Sequence, residues 1–159
     1  MPGPDRCGLN AARVRRAHRR SEGELIRFQE NLDGVTPELL AGFWADWPAP
    51  LSPEMHLRIL SGSEEIVLAI DSDAGDRVVG FLTAVGDGVF ASYIPLLLVL
   101  PEYRGRGIGS ELVARLLRRL ADRYMVDLVC DEELFPFYGR FGMVPYGTMI
   151  LRRHEVLRP

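Results

Sequence analysis

Apolar residues recur at two spacings along this chain, and each change of spacing marks an element. Leu25-Ile-Arg-Phe28 predicts a first short strand, placing the start of the packed region near Glu24. Thr36-Pro37 predicts a helix start, with threonine as the cap and proline in the first turn. That helix carries Leu39, Leu40, Phe43 and Trp44 and stops at the Pro48–Pro50 cluster. Ser52-Pro53 repeats the signal for a second helix with Met55, Leu57, Ile59 and Leu60, ended by Gly62. Strands follow at Glu65–Ile70, Val78–Val85 and Val89–Leu100, joined by turns at 74–76 and 86–88. Pro95 lies inside the third of these and has no N–H for a ladder, which predicts an edge or a bulge there. From Ile108 the spacing becomes helical, with Ile108, Leu112, Val113, Leu116, Leu117, Leu120 and Tyr124 on one stripe. Met125–Cys130 predicts a short buried strand and Asp131–Phe141 a helix capped by Asp131 and stopped by Gly142. Met143–Arg152, bent at Pro145 and Gly147, is expected to close the sheet.

The junction between the apolar run ending at Pro101 and the helix from Ile108 carries the clearest chemistry. Strand, glycine loop and helix N-terminus together aim unpaired backbone N–H groups and the positive end of the helix dipole at one point. That suits a phosphate or pyrophosphate. Gly105, Gly107 and Gly109 let the backbone approach such an anion, and Arg104 and Arg106 are placed to add charge-assisted hydrogen bonds. A Walker loop would need a lysine, and the chain contains none. The dinucleotide fingerprint would need glycine where Ser110 stands, which argues against an ATP- or NAD-binding domain.

What remains, Arg104-Gly-Arg-Gly-Ile-Gly109, resembles the [QR]-x-x-G-x-[GA] loop of the GNAT superfamily of acyl-CoA-dependent N-acetyltransferases. A second stretch, Phe137-Tyr-Gly-Arg-Phe-Gly-Met143, resembles the F-Y-x-x-x-G-[FM] segment at the end of that family's fourth helix. Two motifs in order, divided by a helix and a strand, carry more weight than either alone. Asp87-Gly-Val and Ile94-Pro95 are also similar to a subgroup of small bacterial members of unassigned substrate. The resemblance covers residues 24–153 and implies an α/β (α+β) fold. Its central sheet would be mixed and mostly antiparallel, splayed between strands 4 and 5, with helices on both faces.

The resemblance further implies acetyl-CoA as the cofactor. Its pyrophosphate would lie on Arg104, Gly105, Arg106, Gly107, Ile108, Gly109 and Ser110, beside Phe137, and its pantetheine along Leu98, Val99 and Leu100 in the slot opened by Pro95. A backbone N–H among Leu98–Leu100 would polarise the thioester carbonyl. Tyr138 would protonate the departing thiolate, and the amine would attack directly in a ternary complex without a metal. The family often has asparagine at the position of Asp131; an aspartate here favours helix capping alone. Cys130 reads as a buried strand-end thiol.

The base that frees the amine is not named by the sequence, because Ile94–Leu100 is wholly apolar. Asp87, Tyr93, Asp46, Glu54 and His56 are the candidates, although Asp87-Gly88 is also ordinary turn chemistry. Trp47, Tyr93, Asp87 and Glu54 are the residues expected to meet the acceptor, with Trp47 beside its prolines the best aromatic wall. The competing functional reading is a non-catalytic acyl-CoA-binding sensor or interaction module, which the missing base favours and the retained tyrosine opposes.

Composition adjusts this picture in a few places. With 159 residues, 47% hydrophobic and 26% charged, the chain makes one globular domain, 23–159, preceded by a basic arm, 1–22. Residues 1–20 hold six arginines and one aspartate, a local balance of +5, so the remainder carries −8 within a total of −3. The acidic body suits a cationic amine, and nothing marks the chain as a nucleic-acid binder. Cys7 and Cys130 are too few for a disulfide framework, which points to a reducing cytoplasm. No apolar run approaches the ~18–20 residues of a membrane span, and the basic start lacks the apolar core of a secretory signal. An amine acceptor is the expected partner, with no membrane or nucleic acid, and a homodimer is compatible with the sequence.

Overall fold

A computed structural model describes residues 25–44 and 50–153 of the chain. Five strands form one sheet in sequence order: β1 (Ile26–Gln29), β2 (Glu65–Asp71), β3 (Arg77–Gly86), β4 (Ala91–Val99) and β5 (Met125–Leu128). The first four pair antiparallel, and β5 runs parallel to β4 after the crossover through α2 (Ile108–Arg119). Strand β3 sits at the centre and is buried from Val78 to Ala84, so it is apolar on both faces. Its alternation sorts the covering layers. A Cβ on Gly80 would lie 3.2 Å from both Ile108 and Leu112, so α2 packs down on that face. Phe81 points the other way, with ring centroids 4.9 Å from Phe43 and 4.3 Å from His56 on α1 (Pro53–Ser61). The helical stripe read from the sequence is the buried face of α2 as far as Leu120, with Leu112, Val113 and Leu116 sealed, whereas Tyr124 lies beyond the helix and is exposed. Each sealed side chain contributes about 1.5–3 kcal/mol of apolar burial.

Pro95 acts as expected. Between Thr83 and Val85 strand β3 advances two residues, whereas β4 advances three, from Leu96 to Tyr93, so the extra residue lies at Ile94-Pro95. Pairing of β4 with β5 covers only Ala91–Ile94 and ends at the same point. Beyond it β4 continues alone on that side, and the two strands diverge.

Three expectations are corrected. The helix predicted from Thr36 is one 3₁₀ turn, Pro37–Leu40, and Thr36 makes no side-chain cap. Ala41 is extended and Gly42 has a positive φ, so the chain turns and lays Leu40, Phe43 and Trp44 into the core as separate anchors. The helix predicted over Asp131–Phe141 divides into a 3₁₀ turn, Glu132–Leu134, and α3 (Phe135–Gly139); the Asp131 side chain caps neither. Pro136 lies in the first turn of α3, where proline needs no hydrogen-bonded N–H and fixes a helical φ. The closing strand expected at Met143–Arg152 is absent: the described residues 143–153 belong to no sheet.

The β3–β4 hairpin is closed by a polar cluster. Glu64 takes hydrogen bonds from Arg123 at 2.6 Å and from Ser92 at 2.8 Å, and the Arg123 contact holds its carboxyl below the usual range. Gly86 lies against this cluster. A Cβ there would overlap the Ala91 carbonyl and the Glu64 carboxylate and come 2.7 Å from Ser92 Oγ. Gly86→Ala is therefore expected to destabilise the protein by about 1–3 kcal/mol, the range of an overpacked site. Urea unfolding measures this, and an unchanged midpoint would show that the hairpin relaxes freely.

Candidate active site

The site is built where β4 ends. Pro101–Tyr103 makes a 3₁₀ turn, Arg104 is extended, and Gly107 stands at the N-cap of α2. Gly105 and Gly107 have φ of 75° and 83°, so both occupy the left-handed region that glycine alone enters without strain. No side chain caps α2, and its first internal bond runs from the Glu111 N–H to the Gly107 carbonyl at 3.1 Å. The N–H groups of Ile108, Gly109 and Ser110 precede that bond and point out along the helix axis. These donors, with no Cβ on Gly105, Gly107 or Gly109, suit a phosphate or pyrophosphate.

The two loop arginines brace the loop itself. Arg104 Nε donates to the Val99 carbonyl at 3.0 Å, and Arg106 donates to the Glu102 carbonyl at 2.6 Å while lying over the Tyr103 ring. Tyr103 is buried and donates to Asp71 Oδ2 at 2.7 Å, and Asp71 Oδ1 accepts the N–H groups of Asp73 and Ala74. The loop is thereby tied to the β2–β3 turn.

Backbone directions along β4 follow from two bonds. Leu100 donates its N–H to the Val79 carbonyl at 2.9 Å, toward β3, whereas the Val99 carbonyl turns to the opposite edge. Ladder alternation then aims the N–H groups of Leu97 and Val99 at the side where β5 has diverged. Of the expected trio, Val99 offers its N–H to the slot, and Leu98 and Leu100 turn theirs toward β3. A cavity of about 280 Å³ adjoins this end of β4, lined by Leu98–Glu102, Arg104 and Arg77 with Gly42 and Phe43 opposite. It borders the loop and does not reach Tyr138.

Helix α3 meets the loop. The Phe137 ring lies 3.8 Å from where a Cβ on Gly109 would stand, and Tyr138 packs edge-on to it at 4.9 Å. Tyr138 is buried, and its hydroxyl pKa is pushed up, first by desolvation and then by nearby Cys130. Burial and nearby Asp131 push the Cys130 thiol up as well, so neither group is an anion near neutral pH. Arg140 went unnoticed in the sequence. Its guanidinium lies 5.0 Å over Phe137 and donates to Ser110 Oγ at 3.3 Å, joining α3 to the N-terminus of α2. Its aromatic neighbours at 137 and 141 were the available signal.

The acceptor-side candidates do not converge. Asp87 Oδ1 accepts the N–H groups of Val89, Phe90 and Ala91 at 2.7–3.2 Å, which holds its carboxyl below the usual range and makes it a turn former. Glu54 is exposed in the first turn of α1, its carboxyl lowered by Ser52 and by its own backbone N–H. His56 is sealed against Phe43, Trp44 and Phe81. Tyr93 is half-buried on β4, on the same face as Val85 and just before the divergence. Trp47 and Asp46 lie outside the described residues. Among the described residues no group of three potential ligands could hold a metal, and no helix is long and apolar enough to cross a membrane.

A mixed sheet with an uncapped glycine loop at the end of β4 and a tyrosine helix against that loop is the arrangement that the resemblance implies. Known proteins agree. The sequence model of the Acetyltransferase (GNAT) family matches residues 36–143. A crystal structure of a candidate acetyltransferase from Deinococcus radiodurans R1 is 47% identical, with a TM-score of 0.78 over 82% of this chain and 90% of that one. A GNAT-family acetyltransferase from Streptococcus pneumoniae TIGR4 is 30% identical, with a TM-score of 0.62 over 82% of this chain and all of that one. The chloroplastic GCN5-related N-acetyltransferase 2 of Arabidopsis thaliana is 35% identical over 68 residues, which are 42% of this chain and 26% of that protein. The N-acetyltransferase ycf52 of Pyropia yezoensis, itself uncharacterised, is 24% identical over 58% of this chain and 55% of its own length. The matches thus span about a quarter to a half of these two curated relatives. The chain belongs to the GNAT acetyltransferase family, whose activity is acyl-CoA-dependent acetyl transfer.

Proposed function

We propose that this chain moves an acetyl group from acetyl-CoA to a primary amine by direct attack in a ternary complex, with Tyr138 as the general acid. The contact between Phe137 and Gly109 carries this reading, because it sets the tyrosine helix directly on the anion loop. Bound acetyl-CoA supplies the acyl group already activated as a thioester. The residues of this chain bind and orient it: the N–H groups of Ile108–Ser110 receive the pyrophosphate, and the N–H of Val99 or Leu97 faces the acyl carbonyl. The amine nitrogen would form the new C–N bond as the C–S bond breaks, the Tyr138 hydroxyl would give its proton to sulfur, and the proton lost by the amine nitrogen would return through water to the Tyr138 phenolate. Its raised pKa keeps that proton in place at neutral pH.

One observation favours a second reading, a non-catalytic acyl-CoA sensor. Asp87 is engaged in a turn, Glu54 in a helix start, and His56 in the core, so each of these three base candidates already has a structural role. Thiol release from acetyl-CoA over a panel of amines separates the readings. Transfer predicts release that depends on the amine, together with coenzyme A binding by calorimetry. Binding without release for every amine selects the sensor. Failure to bind coenzyme A rejects both.

A further inference from the structure

The cavity at the end of β4 opens on the face of the sheet away from α2. Leu98, in its wall, pairs with Phe81, so both side chains share the face covered by Phe43 and α1. Helix α2, whose N-terminus suits the pyrophosphate, covers the other face at Gly80. A cofactor held on α2 leaves this side for a second reactant.

Two arginines line the cavity beside Phe43, Leu98 and Leu100. Arg77 Nη1 pairs with Glu102 Oε1 at 3.2 Å, and its Nη2 lies 3.1 Å from where a Cβ on Gly42 would stand. Glycine at 42, with a φ of 101°, leaves room for that guanidinium. Arg104 commits Nε to the Val99 carbonyl, and among the described residues its two Nη groups make no hydrogen bond. The wall therefore sets two guanidinium groups against the single carboxylate of Glu102. A guanidinium fork matches a carboxylate with two parallel bonds.

Val99 sets the reach. Its carbonyl holds Arg104, and its N–H faces the slot on the same side of β4. The two groups belong to one strand residue, with a rise of only ~3.3 Å. An anion held at Arg104 and an amine attacking an acyl carbonyl at that N–H are thus joined by a short tether.

We propose that the acceptor is a small α-amino acid, its carboxylate held in this cavity by Arg77 and Arg104 and its amine presented to the thioester. The assignment rests on the transfer reading above and names its substrate class; the products are the N-acetyl amino acid and free coenzyme A. The acidic body of the chain draws the ammonium group, and the local excess of positive charge selects amines that also carry a carboxylate. A volume of about 280 Å³ suits a free amino acid.

Glycine, serine, leucine and phenylalanine, each beside its carboxamide, are assayed for thiol release from acetyl-CoA. The expected kcat/KM is at least about tenfold higher for the acid than for its carboxamide. Arg77→Gln should erase that preference by raising KM about tenfold or more, with kcat within about twofold and the carboxamide unaffected. Both side chains of the Arg77–Glu102 pair are exposed, so the substitution leaves the fold intact, which circular dichroism checks. Glu102→Gln breaks the same pair but keeps the guanidinium, and should keep the preference. Equal damage from the two variants would make the pair a structural contact and overturn the assignment. Equal turnover of acids and carboxamides by the parent also overturns it, while acetyl transfer itself stands. A second measurement needs no turnover: the N-acetyl forms of the same compounds are titrated by calorimetry into protein holding coenzyme A. Binding that requires both the carboxylate and Arg77, without thiol release from any amine, keeps the carboxylate site and rejects transfer. No binding of any acid overturns the site. Coenzyme A itself should bind the parent and Arg77→Gln equally. If the variant binds it more weakly yet binds dephospho-coenzyme A like the parent, the cavity holds the cofactor's 3′-phosphate and the assignment falls.

Discussion

Tyr138→Phe is expected to lower kcat by roughly ten- to a thousandfold, the effect of losing a positioned general acid. The variant keeps the ring, and with it the edge-on packing against Phe137 that supports the loop. Coenzyme A affinity, measured by calorimetry, should therefore stay close to that of the parent. The chemical reason lies at sulfur. A free thiol has a pKa of about 8.5, so a departing thiolate gains from a proton delivered as the C–S bond breaks. Burial, with a smaller push from Cys130, holds the Tyr138 hydroxyl above its ordinary pKa, and the proton is present throughout the neutral range. In the parent the alkaline limb of the rate should appear only at strongly alkaline pH, and that limb should vanish in the variant. Equal turnover of parent and variant at every pH would remove Tyr138 from the acid role. Equal loss of kcat and coenzyme A affinity would make it a packing residue.

The glycine loop and the helix it opens were legible in the sequence because their determinants are local. Three glycines, the helical stripe from Ile108 and the proline in β4 each act through their immediate neighbours, and each appears where the pattern placed it. What was hidden depends on partners distant in sequence. Tyr103 anchors the loop through Asp71, 32 residues earlier, and nothing near Tyr103 announces that hydrogen bond. Arg140 reaches Ser110 across 30 residues. The false helix after Thr36 has a different cause. Leu39, Leu40, Phe43 and Trp44 have helical spacing, but the spacing arises because a turn through Gly42 drops three of them into one pocket of the core. The Met143–Arg152 stretch has a strand's pattern, yet its described residues pair with no strand. The acceptor side stays the least readable for the same reason. Its candidate carboxylates serve turns and helix starts, roles with the same sequence signature as a base.

The same core holds the group expected to dominate acid stability. His56 is fully buried among Phe43, Trp44 and Phe81, and neither ring nitrogen makes a hydrogen bond. Desolvation lowers its pKa from 6.5 to about 4; the Leu40 carbonyl opposes this weakly, near the ring but outside hydrogen-bond geometry. Above pH 6.5 His56 is neutral in both folded and unfolded chains, and its contribution to stability is fully present. As the pH falls from 6.5 toward 4, the unfolded chain takes up a proton that the folded chain refuses, so stability declines across that window and levels off below it. A shift of this size corresponds to about 3 kcal/mol, a large part of the ~5–15 kcal/mol that holds a typical domain together. His56→Leu fills nearly the same volume and cannot titrate. At pH 8 the variant should lie within about 1.5 kcal/mol of the parent, as for other volume-conserving core changes. At pH 4.5 it should be the more stable of the two. Paired carboxylates such as Glu64 also lose their partners in acid, but they do so in both proteins, and the difference between parent and variant isolates the histidine. Urea unfolding at pH 8, 6 and 4.5 supplies the comparison. Parallel loss of stability in the two proteins across that range would assign the acid sensitivity to another group.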